Sequence, residues 1–482
     1  MKLLAVASEC VPLLKTGGLA DVVGALPGAL ARLGVETRVL MPGYPGLAAQ
    51  MQRSEPHVVA LGAGKPAKVI AGQIGDLQVM LVDAPGFYGR PGGPYQDASG
   101  QDWPDNDSRF AHLARVGAAI AKRGVGGWAP DVVHAHDWQA GLVPVYLKHK
   151  EGGGPPVLVT IHNVAFQGLF PPDRLAKLGL PEAAMHIDGV EFHGQISFLK
   201  GGLACADRVS TVSPTYAQEL TEPAFGMGFD GLLRHRAQEF CGILNGIDLD
   251  DWNPATDPAV AATFSAADMR GKAKNRIALA ERFNLDASPD APIFIVISRL
   301  SSQKGLDLAI GALPTLIERG ACLAVLGSGE TEIERAFEQA VLAYPGRVGV
   351  AASFDVPLSH RMQAGGDAIL IPSRFEPCGL TQLYAQRYGV IPVVARTGGL
   401  ADTVIDANHA GLAAGVATGV VHAPGSADAL RHGIERTCDL FRRPDAWSRL
   451  RANAMALPVG WETSAATYKA LYEDMQEARR GR

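Results

Sequence analysis

The sequence predicts an α/β protein of two doubly wound, Rossmann-like domains. Short apolar runs alternate with stretches of helical periodicity through both halves of the chain. The alternation begins afresh at residues 293–298, after a turn-rich stretch from 242 to 254. The hexapeptide Thr-Gly-Gly-Leu-Ala-Asp occurs twice, at 16–21 and 397–402, each time after an apolar run. Two such turns suggest two similar domains facing one ligand. A chain of 482 residues is also too long for a single core.

The first strand is read at residues 3–7, and a helix opens at Leu19 with Val22, Val23, Leu26 and Leu30 on one face. Between them lie Lys15, Gly17 and Gly18. Glycines let the backbone approach a ligand, and the first amides of a helix lack partners within it. Such a turn favours an anion, and Lys15 adds positive charge. A strand is expected at 35–41 and a meander of short strands at 58–61, 68–71 and 77–82. Residues 84–104 form a Gly/Pro-rich loop with Tyr95 in it, and loops of that length are commonly functional. A helix follows at 107–122.

Residues 131–138 and 157–163 read as strands that empty into polar turns. Ligands of open parallel sheets bind beyond such C-terminal ends. This singles out Asp137, His162 and Asn163, while His134 has an equal claim as a core residue. Further on, a helix is expected at 196–205, a strand at 208–212 and a helix start at Ser213. In the second half, strands are expected at 293–298, 322–326, 347–350 and 368–371, with helices at 306–318 and 330–342. An amphipathic helix at 462–479 carries Tyr468, Leu471, Tyr472 and Met475 at helical spacing.

Several function classes fall away. Net charge is −5 without a long basic run, which argues against broad nucleic-acid binding. The six cysteines are scattered, with no zinc spacing, as in a cytoplasmic protein with reduced thiols. No apolar run approaches a membrane span. Residues 327–332 begin like a dinucleotide fingerprint, but Glu332 takes the third glycine position. The Lys15 turn lacks the Walker pattern. Cys378 has no adjacent His and reads as a packed thiol.

Other residues carry chemistry. Arg299 and Lys304 flank the end of an apolar strand. There they can stabilise charge on a departing nucleoside diphosphate without a metal. Glu376 stands at a second strand-to-helix turn, suited to accept sugar hydroxyls. The amides of Gly379, Leu380 and Thr381 follow it.

Taken together, residues 15–27, 136–138, 160–163, 245–248, 298–305 and 372–382 resemble the bacterial and plant glycogen/starch synthase family, in order over nearly the whole chain. The resemblance implies a GT-B fold. Residues 1–243 would form the acceptor-side domain and 244–455 the donor-side domain, with 456–482 a helix crossing back to the first. It implies retaining transfer of glucose from ADP-glucose to the non-reducing-end 4-hydroxyl of an α-1,4-glucan such as glycogen. No metal or cofactor, nucleic acid or membrane would take part. By position, Arg299 and Lys304 would stabilise ADP, Glu376 would hold the glucose, and His162 would lie against the anomeric centre. Lys15, Gly18, Cys378, Gly379, Leu380 and Thr381 would meet the donor, and Asp21 would brace the Lys15 turn. Tyr95, Asp137, Asn163 and Asn245 would complete the glucose and acceptor side. Phe354 stands where the family usually has a tyrosine near the adenine. Tyr384 occupies the place of a second Glu found in wider relatives, as it does in this family.

Overall fold

The computed structural model describes residues 1–62, 64–353 and 355–481. The chain divides into two compact units. One comprises Met1–Asn245 with Trp461–Arg482, and the other Gly246–Gly460.

The first unit is built on a nine-stranded sheet. Its strands are β1 (Lys2–Val6), β2 (Glu36–Pro42), β3 (Gln52–Val59), β4 (Ala67–Ile74), β5 (Leu77–Asp83), β6 (Val132–His136) and β7 (Val157–Ile161). A small separate sheet holds β8 (Leu169–Phe170), β9 (Glu191–Phe192) and β10 (Gln195–Ser197), and β11 (Arg208–Thr211) and β12 (Phe240–Gly242) complete the large one. The order is β12-β11-β7-β6-β1-β2-β5-β4-β3. Strands β12 through β5 run parallel, and β5, β4 and β3 form the antiparallel meander at one edge. The strand order reverses between β1 and β6, so the ligand-binding edge of this unit lies at their C-terminal ends.

The second unit carries β13 (Ile293–Ile297), β14 (Cys322–Leu326), β15 (Val348–Ala351), β16 (Ala368–Ile371), β17 (Ile391–Ala395) and β18 (Val420–His422). Its order, β15-β14-β13-β16-β17-β18, is wholly parallel. Here the reversal falls between β13 and β16. Apolar clusters cover both faces of the sheet. That explains the near-continuous apolar runs of these strands.

Parallel strands lack hairpins to set their register. An aspartate just before one strand does this work repeatedly. Asp131 accepts the Lys2 amide at 2.7 Å, tying β6 to β1. Asp207 accepts the Val157 amide at 2.9 Å, tying β11 to β7. Asp367 accepts the Ile293 amide at 2.9 Å, tying β16 to β13. Asp207 and Asp367 also pair with Arg479 and Arg276.

The helix Glu462–Arg480 buries Tyr468, Tyr472 and Met475 against Leu3, Val22, Leu26, Val132 and Leu158 of the first unit. Burial of each such side chain contributes about 1.5–3 kcal/mol. In the second unit the Trp252 ring lies between His360 and Tyr384, with centroids 3.8 and 3.7 Å away. Tyr384 is therefore a core residue.

Several elements differ from expectation: a short helix, Pro85–Tyr88, lies in the expected loop, and residues 196–197 are strand rather than helix. Strand β3 starts at Gln52, well before the apolar residues, because it is an exposed edge strand. The helix expected at 306–318 is two helices, Leu306–Gly311 and Leu313–Glu318, since Pro314 cannot donate to the preceding turn.

Lys272 sits buried in the second unit, donating to the Gln363 and Tyr388 carbonyls at 3.1 and 3.0 Å. These carbonyls belong to the ends of two helices, whose dipoles favour a cation. Burial nevertheless lowers its pKa from 10.5 to about 7. Between those values the unfolded chain holds a proton that the folded chain releases, so this group makes stability rise with pH across that window. The Lys272→Met variant is expected to lack this rise. Its melting temperature relative to wild type should fall from pH 7 towards pH 10, as read by differential scanning fluorimetry.

Candidate active site

The candidate residues gather at the switch-point edge of each sheet. In the first unit, β1 ends in the loop that carries Glu9 and Lys15. Glu9 is buried, and its carboxylate organises the glycine turn. It accepts the Thr16 amide at 2.5 Å, the Gly17 amide at 3.2 Å and the Thr16 hydroxyl at 2.8 Å. Tyr95, from the long loop, donates to the same carboxylate at 2.8 Å and shares a 2.7 Å bond with Ser8. Two amides of the turn are thus spent on an internal anion. Lys15 donates to Asp21 at 2.7 Å. The helix Gly18–Arg32 begins directly after this arrangement.

Glu9 had no signal in the sequence. Its partners come from seven and 86 residues away, and a lone acid in an apolar stretch advertises neither.

Strand β6 ends at His136 and β7 at Ile161, placing Asp137, His162 and Asn163 side by side. Asp137 has φ +55° and is buried. Its carboxylate accepts the His162 amide at 2.7 Å and the Asn163 amide at 3.4 Å. Burial raises its pKa to about 7 although those amides pull the other way. His162 is brought to about 3 by burial, so its ring is neutral at physiological pH. The Asn163 side chain accepts the Ala165 amide at 3.0 Å, closing the turn. Asn245 is buried, and its Oδ1 has no hydrogen-bond partner among the described residues.

In the second unit, β13 runs into Arg299 and β16 into Glu376, on the two sides of the reversal. The Leu300 amide donates to Ser328 at 2.9 Å, and Leu300 pairs with Gly329. A Cβ on Gly327 or Gly329 would strike the Ser298 or Leu300 carbonyl. The glycines resembling a dinucleotide fingerprint therefore serve to clamp the Arg299 turn. Arg299 itself is exposed.

Gly305 adopts φ +67°, and a Cβ there would strike the Pro372 carbonyl. This close approach carries Lys304 to Glu376. Lys304 Nζ donates to Glu376 Oε2 at 2.6 Å, and the Ser373 hydroxyl donates to the same oxygen at 2.9 Å. One of three ammonium protons is used there. Cys378 is a buried thiol, and Gly379 has φ +71°. Gln382 donates to the Cys378 and Gly379 carbonyls at 3.1 and 2.8 Å. Leu380 and Thr381 stand at the start of the helix Thr381–Arg387. Phe354 lies outside the described residues.

The second Thr-Gly-Gly turn supports Glu376. The Gly399 amide donates to the Glu376 and Pro377 carbonyls, each at 3.2 Å. A Cβ on Gly398 would strike the Glu376 carbonyl, and one on Gly399 the Cys378 carbonyl.

Among the described residues no three His, Cys, Asp or Glu side chains group as a metal site. None of their helices is long and apolar enough to cross a membrane.

Residues 2–235 match the starch synthase catalytic domain family, and residues 279–449 match glycosyl transferases group 1. The glycogen synthase of Roseobacter denitrificans is 55% identical over 98% of this chain and 99% of its own. The chain belongs to the glycogen synthase family. The Acidiphilium cryptum glycogen synthase is similar at 52%, over 98% of this chain and 99% of the relative. The catalytic domain of starch synthase IV from Arabidopsis thaliana, solved with ADP and acarbose, has a TM-score of 0.90 at 32% identity, covering 98% of this chain and 99% of that one. A sucrose-phosphate synthase from Thermosynechococcus elongatus, at 19% identity, TM-score 0.60 and coverage of 99% of both chains, shares the fold. As a glycogen synthase family member with the GT-B fold, the chain is a glycosyltransferase that uses a nucleotide-sugar donor and a glucan acceptor.

Glu9→Gln replaces an acceptor oxygen with an amide donor facing two N–H groups. The change is expected to cost about 1–3 kcal/mol. Urea unfolding followed by tryptophan fluorescence should show a lower midpoint, and an unchanged midpoint would show that the turn does not rely on this carboxylate.

Proposed function

We propose that this chain transfers glucose from ADP-glucose to the non-reducing-end 4-hydroxyl of an α-1,4-glucan, with retention of configuration and without a metal. The observation that carries this reading is the Lys304–Glu376 pair at the switch point of the second unit, with Arg299 on the neighbouring strand end. A cation beside a carboxylate suits a phosphorylated sugar, with a phosphate for one and hydroxyls for the other. The ADP carried by the Arabidopsis relative supports the adenine nucleotide.

In this mechanism Arg299 and Lys304 stabilise charge growing on the departing phosphate oxygen. Glu376, held by Ser373 and Lys304, accepts from the glucose 3-hydroxyl. Cys378 and Gly379 lie beside the sugar, and the Leu380 and Thr381 amides meet the phosphate. The bond from the anomeric carbon to phosphate breaks while its bond to the acceptor oxygen forms on the same face. The acceptor proton passes to the departing phosphate oxygen. His162, neutral and fixed through its amide, presents its carbonyl and ring to the anomeric centre. Lys15 and Gly18 touch the donor phosphates, and Asp21 braces Lys15. Tyr95, Asp137, Asn163 and Asn245 shape the sugar and acceptor side. Catalysis in the cytoplasm, without nucleic acid or membrane, completes the reading.

The deciding experiment is a glucan-primed assay with radiolabelled donors. Incorporation is expected from ADP-glucose and to persist with a chelator. Equal incorporation from UDP-glucose would overturn the nucleotide assignment. Arg299→Ala is expected to lower turnover about 10²- to 10³-fold, and a folded variant with full turnover would overturn its role. Gly17 has extended backbone and no protein atom within 4 Å of a Cβ placed there. Gly17→Ala should therefore leave the melting temperature unchanged while raising KM for ADP-glucose. An unchanged KM would count against donor contact at this turn.

A further inference from the structure

His162 is held at two points by two consecutive residues. Asp137 takes its backbone amide, as described. His136 takes its ring, with His136 Nδ1 and His162 Nε2 3.0 Å apart. Behind His136 the contact continues into the core. Its ring packs on the His134 ring with centroids 3.9 Å apart. His134 Nδ1 bonds the Tyr472 hydroxyl at 2.9 Å, and His134 Nε2 bonds the Thr160 hydroxyl at 2.6 Å. Thr160 in turn bonds Ser210 at 2.6 Å. The Tyr468 ring lies 5.5 Å from that of His134. Every residue of this line is buried.

The line has a chemical consequence. Between two neutral rings in such contact there is one proton. If His136 donates, His162 accepts at Nε2 and carries its own proton at Nδ1. If His162 donates, both protons move to the other nitrogens. The tautomer of one ring therefore dictates that of the other. The His134 ring packed against His136 is itself anchored on Tyr472 and Thr160.

We propose that His136 is a positioning residue. It fixes the orientation and tautomer of the His162 ring, and the helix Glu462–Arg480 anchors it through Tyr472 and His134. This rests on the reading of His162 at the anomeric centre.

His136→Phe keeps a ring for stacking and removes the nitrogen. Misplacing a reacting group carries a large kinetic cost, so turnover should fall about 10- to 100-fold, with KM for ADP-glucose little changed. His136→Gln restores a hydrogen-bonding side chain and should recover part of the loss. Nitrogen NMR of histidine-labelled protein supplies a readout that a packing role would not move. His162, identified by the signal lost in His162→Ala, should change its tautomer pattern in His136→Phe. If His136→Phe fails to fold, the same measurement on His136→Gln decides. A folded variant with wild-type turnover and an unchanged His162 pattern would overturn the proposal. Full turnover in His162→Ala would instead overturn the catalytic reading of His162, while the tautomer measurement still reports on the His136 contact.

Discussion

Register is the constraint on which both units depend. A one-residue slip in a strand turns each side chain to the opposite face. In these parallel sheets it would also shift every residue at the C-terminal edge by one place. Asp131, Asp207 and Asp367 prevent this from the far edge, each fastening the first amide of the neighbouring strand. Two of these ties join the strands flanking a switch point, β1 with β6 and β13 with β16. The position of His136 and of Glu376 is therefore decided in part at the opposite end of the sheet. Carboxylates also work at the near edge, with different partners. Those at the far edge that pair with arginine are neutralised, whereas Glu9 and Asp137 are bonded by amides and hydroxyls.

The architecture was legible in the sequence because parallel strands buried on both faces read as apolar runs with helical stretches between them. The reading weakened where burial weakened. Strand β3 is Gln-Arg-Ser-Glu-Pro-His over most of its length, and its pairing is visible only beside β4. The site was legible where a motif was contiguous, as from Pro372 to Gln382. It was illegible where the candidate site is held by contacts across sequence, as between Glu9 and Tyr95 or Lys304 and Ser373 with Glu376. The repeated hexapeptide shows the limit of local pattern most clearly. At 16–21 its amides bind a carboxylate, and at 397–402 the Gly399 amide binds the carbonyls beneath Glu376. Identical residues serve two purposes because their neighbours differ.

Internal pairing is a shared property of the candidate residues in both units. Lys15 has Asp21, Lys304 has Glu376, and the glycine turn has Glu9. Both lysines arrive with an anion attached, so neither is a bare positive charge. On the proposed reading, binding a phosphorylated sugar would exchange one set of charge-assisted bonds for another. That exchange favours ligands offering hydroxyls as well as phosphate, since a phosphate alone would leave the carboxylates beside it uncompensated.

The helix Glu462–Arg480 belongs to the first unit, although in sequence the whole second unit separates it from the residues it covers. During synthesis the second unit is a continuous stretch that can close as soon as Gly460 emerges. The first unit cannot. Leu3, Val132 and Leu158 precede the second unit in sequence and are covered only in part, by Val22 and Leu26, until that later helix docks. Domains generally fold in order from the N-terminus, and here that order is reversed for completion. The core of the first unit is thus sealed by a contact between parts of the chain on either side of the second unit in sequence.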